Sequence, residues 1–511
     1  MDACKRCTRL FCLMLISAYS SGCMVGPNFH TLAAPKVHSY TQTPLPKKTV
    51  GIVAGGDAGK SQAFVVGATI QAQWWQLFHS PAINYLVQTG LANSPTLAAA
   101  QAALQQAQEA LAEQIGNSLY PAFNAALSGQ RQRFAGASFG GGVPSNIFSI
   151  YNASVNVSYT LDVFGGARRQ IESLQAQVDY QQFQLIAAYL TLTSNIVTTA
   201  ITIASLEAQI AATHKLIWAE EKQLVIMRNQ LGLGGVADSN VLTQLTAVEQ
   251  IRATLPPLEK SLSQSKHAMD VLIGSYPNRV LPKINLDKLK LASVLPVSLP
   301  SYLVRQRPDV RSSEASLHSA SAQVGVATAN LFPQFTLSGD YGGTASIPSV
   351  VFQPNSRVWT LTGGITQPIF HGGALLAQRR AAIAAYNQAA AQYRQTVLQA
   401  FQNVADTLRA LDMDARTFQA QKAAEIAAWK NLKVTREQYQ LGGVDYLNVL
   451  TAEQQYQQTR LSSIQAQATR YSDTAALFQA LGGGWWNRKQ YACKSDPINP
   501  TNATLCSSLR Q

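Results

Sequence analysis

Two periods take turns along this chain. At Ile383, Tyr386, Ala390, Tyr393, Val397, Phe401, Val404, Leu408, Leu411, Ala415 and Phe418, apolar residues recur in steps of three and four. That is heptad spacing, and it predicts helices packed lengthwise as coiled coils. Elsewhere the period is two: Val155, Val157, Tyr159, Leu161 and Val163 alternate with Ser154, Asn156, Ser158, Thr160 and Asp162. A strand with one apolar and one polar face reads this way. The same alternation over Phe123 to Gly129, Phe335 to Tyr341 and Trp359 to Ile365 completes four strands.

These elements fall into two halves of one plan, 73–273 and 301–484. In the first, a helix near Leu91 to Asn117 precedes a strand pair (about 119–165), a helix from Gly166 toward Leu231, and a returning helix to about Leu272. In the second, Tyr302 to Asn330, a strand pair (about 331–370), Gly373 to Leu441 and a return to Leu481 repeat the order. Gly-rich, uncharged connections at about 134–149 and 342–356 join the strands. Each long helix needs roughly 65 to 70 residues, about 100 Å at the usual rise. Residues 23–72 and the Pro-rich 274–300 read as linkers, and 485–511 as a tail. Tyr180 to Leu206 carries no charge and has the length of a membrane span. Gln184, Asn195 and many Ser and Thr favour a packed soluble helix instead.

The halves share a phrase as well as a plan. Arg228 to Leu242 and Arg436 to Leu450 agree at nine of fifteen positions, each joining a long helix to the helix that returns. Gly234-Gly235 and Gly442-Gly443 permit the positive φ that ends a helix. Asp238 or Ser239, and Asp445, are candidate caps for the helix that follows. Arg228 and Arg436 sit in the last turn, where a cation suits the helix dipole. Making the turn accounts for part of the identity. The matches Gln230 with Gln438 and Val236 with Val444 exceed that need and point to docking of a partner on the tips, which also carry Leu233 and Leu441.

Apolar-out, polar-in strands of about ten residues read as a membrane β-barrel, with a soluble sheet lying on helices as the alternative. Four strands cannot close, and an open edge cannot sit in lipid. Strands that span a membrane must therefore be pooled, and three copies give twelve.

Composition changes the picture little, and the N-terminus changes it more. Charged residues make up only 13 % of the 511, which suits long uncharged helices better than a compact cytosolic enzyme. Lys5, Arg6 and Arg9 followed by apolar Leu10 to Ala18 read as an export signal (1–22). Small residues before Cys23 make that cysteine a candidate for lipidation, with simple cleavage or a retained anchor as alternatives. Met24 follows it. Cys4, Cys7 and Cys12 leave with the leader; Cys493 and Cys506 remain as a disulfide or as two free thiols. The net charge of +13 is scattered without runs or interleaved aromatics, so nucleic acid is not an expected partner.

Together these residues resemble the TolC-like outer membrane factor family, the exit ducts of bacterial tripartite efflux and secretion systems. The resemblance rests on Cys23-Met24-Val25-Gly26-Pro27-Asn28-Phe29, on Trp74-Trp75 with Phe78, Pro81, Leu86, Asn93 and Leu97, on Arg305-Gln306-Arg307-Pro308-Asp309 with Glu314, and on both tips. It runs from Cys23 to about Gly484 and points to the lipidated, drug-efflux branch. It implies an α+β, mostly helical fold. Three protomers would build a twelve-stranded transmembrane barrel continuous with a periplasmic coiled-coil barrel of twelve helices. It implies outer membrane lipid around the barrel, a periplasmic adaptor docked on the tips and an inner-membrane pump beyond it, without a cofactor or metal. Family members often carry acidic residues after the second tip, lining a constriction. The matching positions here are Asn448 and Thr451, and in the first copy Asn240 and Thr243. A constriction held by hydrogen bonds and apolar packing is expected instead, with Leu447 and Gln454 as neighbours.

Catalysis is not expected, because no convergent polar signature appears and the seven His residues are dispersed. His371 before Gly372-Gly373 reads as a turn residue. Ala54 to Ser61 loosely matches a phosphate-binding loop but lacks the flanking strand and helix that such a loop needs. Within the duct class, type I protein secretion is the alternative to small-molecule efflux. Outside it, the alternative is a periplasmic coiled-coil scaffold without a pore.

Overall fold

Proline placement decides where several of the shorter helices start. The computed structural model describes residues 24–35, 37, 39–135 and 144–488; the leader, Cys23, Cys493 and Cys506 lie outside them. After strand β1 (Ala63–Val66), the first half runs α1 (Pro81–Asn93), α2 (Pro95–Leu119), β2 (Ala122–Phe134), β3 (Asn146–Leu161), α3 (Gly166–Gly232), α4 (Asp238–Ala253) and α5 (Leu255–Leu272). Strand β4 (Val294–Val297) precedes α6 (Pro300–Gln306), α7 (Pro308–Ala329), β5 (Gln334–Ala345), β6 (Arg357–Thr366), α8 (Ala374–Gln440) and α9 (Tyr446–Ala480). Three helices expected to be continuous are each broken: before Pro95, before Pro308, and at Thr254 ahead of Pro256-Pro257. Proline disfavours helical geometry in the residue before it and lacks the N–H that an interior position must donate.

The chain divides into two compact units. The first comprises the residues up to Leu32, Ala103–Gln182 and Ser312–Arg394. Its sheet has the order β2-β3-β5-β6, antiparallel throughout. The register Phe123↔Val157↔Gly339↔Leu361 gathers the apolar residues on one face, and Asn124↔Asn156↔Asp340↔Thr360 gathers polar ones on the other. Much of the apolar face is open: Phe123, Leu127, Trp359, Leu361 and Ile365 are all exposed. Strands β3 and β5 reach further than the alternation predicted, to Asn146 and Ala345, because Gly342, Gly343 and small polar residues still pair although they break the apolar pattern.

The residues just after Cys23 are held by this unit. Arg169, almost fully buried, donates to Val25 O at 3.1 Å, Gly26 O at 3.3 Å and Asn28 Oδ1 at 2.7 Å, and pairs with Glu172 at 2.6 Å. Phe29 stacks on His318 at 4.4 Å. At Gly26 (φ +93°) a Cβ would lie 2.4 Å from Gly325 Cα, so only glycine fits. Val25 N–H donates to Phe164 O at 3.1 Å, beside the end of β3, where Phe164 stacks on Phe332.

The second unit comprises Ala33–Ala102, Phe183–Arg311 and the chain from Gln395. Both stretches expected to be linkers enter its core. Strand β1 pairs in parallel with β4 from Ala63↔Val294 to Val66↔Val297. Arg470 on α9, with no exposed surface, donates to Lys60 O at 2.8 Å, to Thr49 Oγ1 at 3.2 Å and to Ala58 O. The loop that loosely matched a phosphate cradle thus turns carbonyls, not N–H groups, toward a cation. Trp74 stacks on Phe478 at 5.5 Å, with Phe78 and Tyr471 beside them. The heptad seam of α8 is buried at Val397, Val404, Leu408, Leu411, Ala415 and Phe418, as the spacing predicts. Helix α3 is long and apolar enough to cross a membrane by composition. Its Ile186, Ile196, Val197 and Ile201 are buried inside the unit, and Ser194 Oγ donates to Gln479 Oε1 at 2.7 Å.

Candidate functional site

The two copies of the repeated phrase end their helices in the same way. Gly235 N–H donates to Gln230 O at 2.8 Å and Gly234 N–H to Leu231 O at 2.9 Å; Gly443 N–H donates to Gln438 O at 2.8 Å and Gly442 N–H to Tyr439 O at 3.0 Å. This six-to-one plus five-to-two pair is a Schellman turn, which satisfies carbonyls that a helix end leaves open. Only the first glycine of each pair has positive φ, +74° at Gly234 and +76° at Gly442. The caps are made differently from the expectation. Ala237 takes the first N-cap position, with Asp238 inside the first turn, and Asp445 takes the second without a side-chain hydrogen bond.

Beneath the turns the two hairpins share one core. Leu224, Met227, Val241 and Val248 from the first pack with Leu432, Tyr446, Val449 and Leu450 from the second. A polar chain crosses this core. Tyr446 Oη donates to Gln244 Oε1, and Gln244 Nε2 donates to Glu220 Oε2 at 2.8 Å and Glu220 O at 3.0 Å. Glu453 accepts from Arg436, through Nε at 3.0 Å and Nη2 at 2.6 Å. Burial, reinforced by the neighbouring Glu220 carboxylate, pushes the Glu453 carboxyl up to about 8 against the pull of Arg436. Burial likewise raises the Tyr446 hydroxyl. A cavity of about 280 Å³ opens beside them, lined by Glu220, Thr254, Glu453, Gln454, Gln457 and Gln458 among others.

The predicted tip residues separate by exposure. Leu233 and Leu441 are 88 % and 87 % exposed, unusual for leucine at two equivalent positions. Arg228, Arg436 and Gln438 are exposed, while Gln230, Val236 and Val444 are half-buried. Asn240, Thr243, Leu447, Asn448, Thr451 and Gln454 are all exposed. The threonine hydroxyls stay within their own helices, Thr243 donating to Ser239 O at 2.8 Å and Thr451 to Leu447 O at 2.9 Å.

Sequence reasoning missed Glu220, Gln244, Tyr446 and Glu453. A signal for the last was present. Glu453 stands seventeen residues after Arg436, and the same step from Arg228 arrives at Leu245. The charge pair therefore belongs to one copy of the repeat alone.

A family profile described as outer membrane efflux protein matches residues 86–275 and 299–483. The toluene efflux pump outer membrane protein TtgC of Pseudomonas putida is 28 % identical over 482 residues, 94 % of this chain and 96 % of that protein. The cation efflux system protein CusC of Escherichia coli is 27 % identical over 481 residues, 93 % of this chain and 98 % of its own length. The solved outer-membrane channel OprN superposes with a TM-score of 0.81 at 24 % identity, covering 91 % of this chain and all of the channel.

Proposed function

The chain belongs to the outer membrane efflux protein family, and from that premise we propose that three copies form the exit duct of a tripartite pump, carrying small toxic molecules outward. It is an outer membrane efflux channel; assembly, anchoring, docking and gating are the proposed parts.

The sheet carries this reading. Strands β2 and β6 stand at its two edges, and its exposed face is apolar from Phe123 to Gly129 and from Trp359 to Ile365, with arginines only toward the connecting loops. An apolar face open to solvent and two unpaired edges are both costly in one isolated chain. Joining β6 of one copy to β2 of the next pairs the edges, lipid covers the apolar face, and three copies close twelve strands. Cys23 is the proposed lipid attachment site. Val25, two residues on, is fixed beside the end of β3, so a lipid there would enter the same membrane.

The tips are the proposed docking site for a periplasmic adaptor that couples the duct to an inner-membrane pump. Leu233 and Leu441 support this, since two exposed leucines at equivalent positions are surface awaiting a cover. Asn240, Thr243, Leu447, Asn448, Thr451 and Gln454 are the proposed constriction. No catalytic step is assigned. Relatives named for toluene and for cations fit a conduit that leaves the choice of cargo to its pump.

The test is the full-length protein in the outer membrane fraction and then in a planar bilayer. A trimer that resists detergent and conducts is expected. A soluble, non-conducting product would establish the scaffold alternative, and export of a protein substrate alone would establish type I secretion.

A further inference from the structure

One face of the four-stranded sheet changes character toward its connecting loops. The apolar row of β2, Phe123, Ala125, Leu127 and Gly129, continues on the same face as Arg131 and Arg133, paired with Ser149 and Ile147. On the opposite edge the row of β6 begins with Arg357, in register with Gly343, Ala153 and Leu127. All three arginines belong to the loop-proximal ends of the strands, and all three are exposed. The described residues that share this face on the four strands include no Asp or Glu.

The segment Pro348–Phe352 comes down on this face and makes a groove. Val351 is 5 % exposed, and a Cβ on Gly343 would lie 1.9 Å from Val351 O, so the approach depends on that glycine. The groove holds about 450 Å³ and is lined by Leu127, Val155, Tyr341, Val351, Phe352 and Arg357 among others. That is the size of an ordinary ligand site, apolar inside with a cation at its rim.

We propose that this groove and the three arginines bind a phosphate-bearing lipid, with an acyl chain in the groove and the phosphates on the guanidiniums. The proposal rests on reading the apolar face as the membrane face. Uncompensated arginines on such a face belong at headgroup level and not in the hydrocarbon. Arginine meets phosphate through paired, charge-assisted hydrogen bonds. Apolar groove and basic rim together select a ligand that has both parts, unlike a free phosphate or a neutral acyl chain.

The experiment is native mass spectrometry of the detergent-solubilised full-length protein. Its probes are an acylated diglucosamine lipid bearing two phosphates, the same lipid without phosphates, and inorganic phosphate. The phosphorylated lipid should be retained and the other two lost. The combined Arg131→Gln, Arg133→Gln and Arg357→Gln variant should retain it roughly tenfold less well, and Phe352→Ser should weaken it with the arginines intact. Equal retention of the dephosphorylated lipid, or displacement by inorganic phosphate alone, would overturn the proposal. So would an unaffected arginine variant. Planar-bilayer conductance separates the two levels: a conducting wild type with arginine-independent lipid binding overturns this inference alone, and a non-conducting wild type overturns the membrane reading beneath it.

Discussion

Arg436 holds Glu453 across the second helix turn, with Nε at 3.0 Å and Nη2 at 2.6 Å from the same carboxylate oxygen. The acid is buried while its partner stays largely exposed. Its second oxygen lies buried without a hydrogen bond. This is a carboxyl for which protonation and pairing compete.

The tip should therefore respond to pH. Burial, with the neighbouring Glu220 carboxylate, raises the Glu453 carboxyl to about 8 from the ordinary 4.5. Between those values the folded tip binds more protons than the unfolded chain, so its stability falls as pH rises through that window. Hydrogen exchange at residues 436–454, corrected for intrinsic rates, should show faster opening above pH 8 than below pH 5. Glu453→Gln should flatten the difference; an unchanged slope would reject the assignment.

Gly442→Ala should destabilise the second tip by about 1 kcal/mol through the left-handed φ alone, because nothing lies within 4 Å of the added methyl. Gly443→Ala should cost less, since its φ is not positive. Thermal unfolding of both variants checks the order.

Leu233→Ser and Leu441→Ser remove exposed leucines, so stability should move by no more than about 0.5 kcal/mol. Efflux in cells and crosslinking to the adaptor should both fall, most in the double variant. Preserved efflux would remove the tips from the docking site.

Arg470→Met should cost about 3 kcal/mol or more, because it strips a buried donor from two carbonyls and a hydroxyl. The loss should appear as protease sensitivity at residues 49–60, with the sheet of the first unit unaffected.

Periodicity made the long elements legible. The seam from Val397 to Phe418 and the alternation from Val155 to Leu161 each repeat one local rule many times, so a few exceptions do not hide it. The helix breaks have a local signal too, at Pro95, Pro256 and Pro308, because proline restricts the residue before it and lacks the N–H of a helix interior. Strands β1 and β4 were harder. Four residues carry too little pattern, and what fixes them is the other strand, 231 positions away at Ala63↔Val294. The tip turns could be read from Gly234 and Gly442, whose conformation is a local matter. The chain from Tyr446 through Gln244 to Glu220 could not, because three residues from different helices become neighbours only after the hairpins pack.

The unequal copies have a consequence for symmetry. Repeating the turn twice per chain would give the proposed three-copy ring six similar ends, but Arg436 has Glu453 where Arg228 has Leu245. Such a ring is a trimer of unlike pairs and not a true hexagon. A partner contacting all six ends must meet two kinds of surface in alternation, whereas one recognising the charged kind has three places to stand. Counting bound partners per ring would distinguish these stoichiometries, and exchanging Leu245 for Glu would bring the two kinds of end closer together.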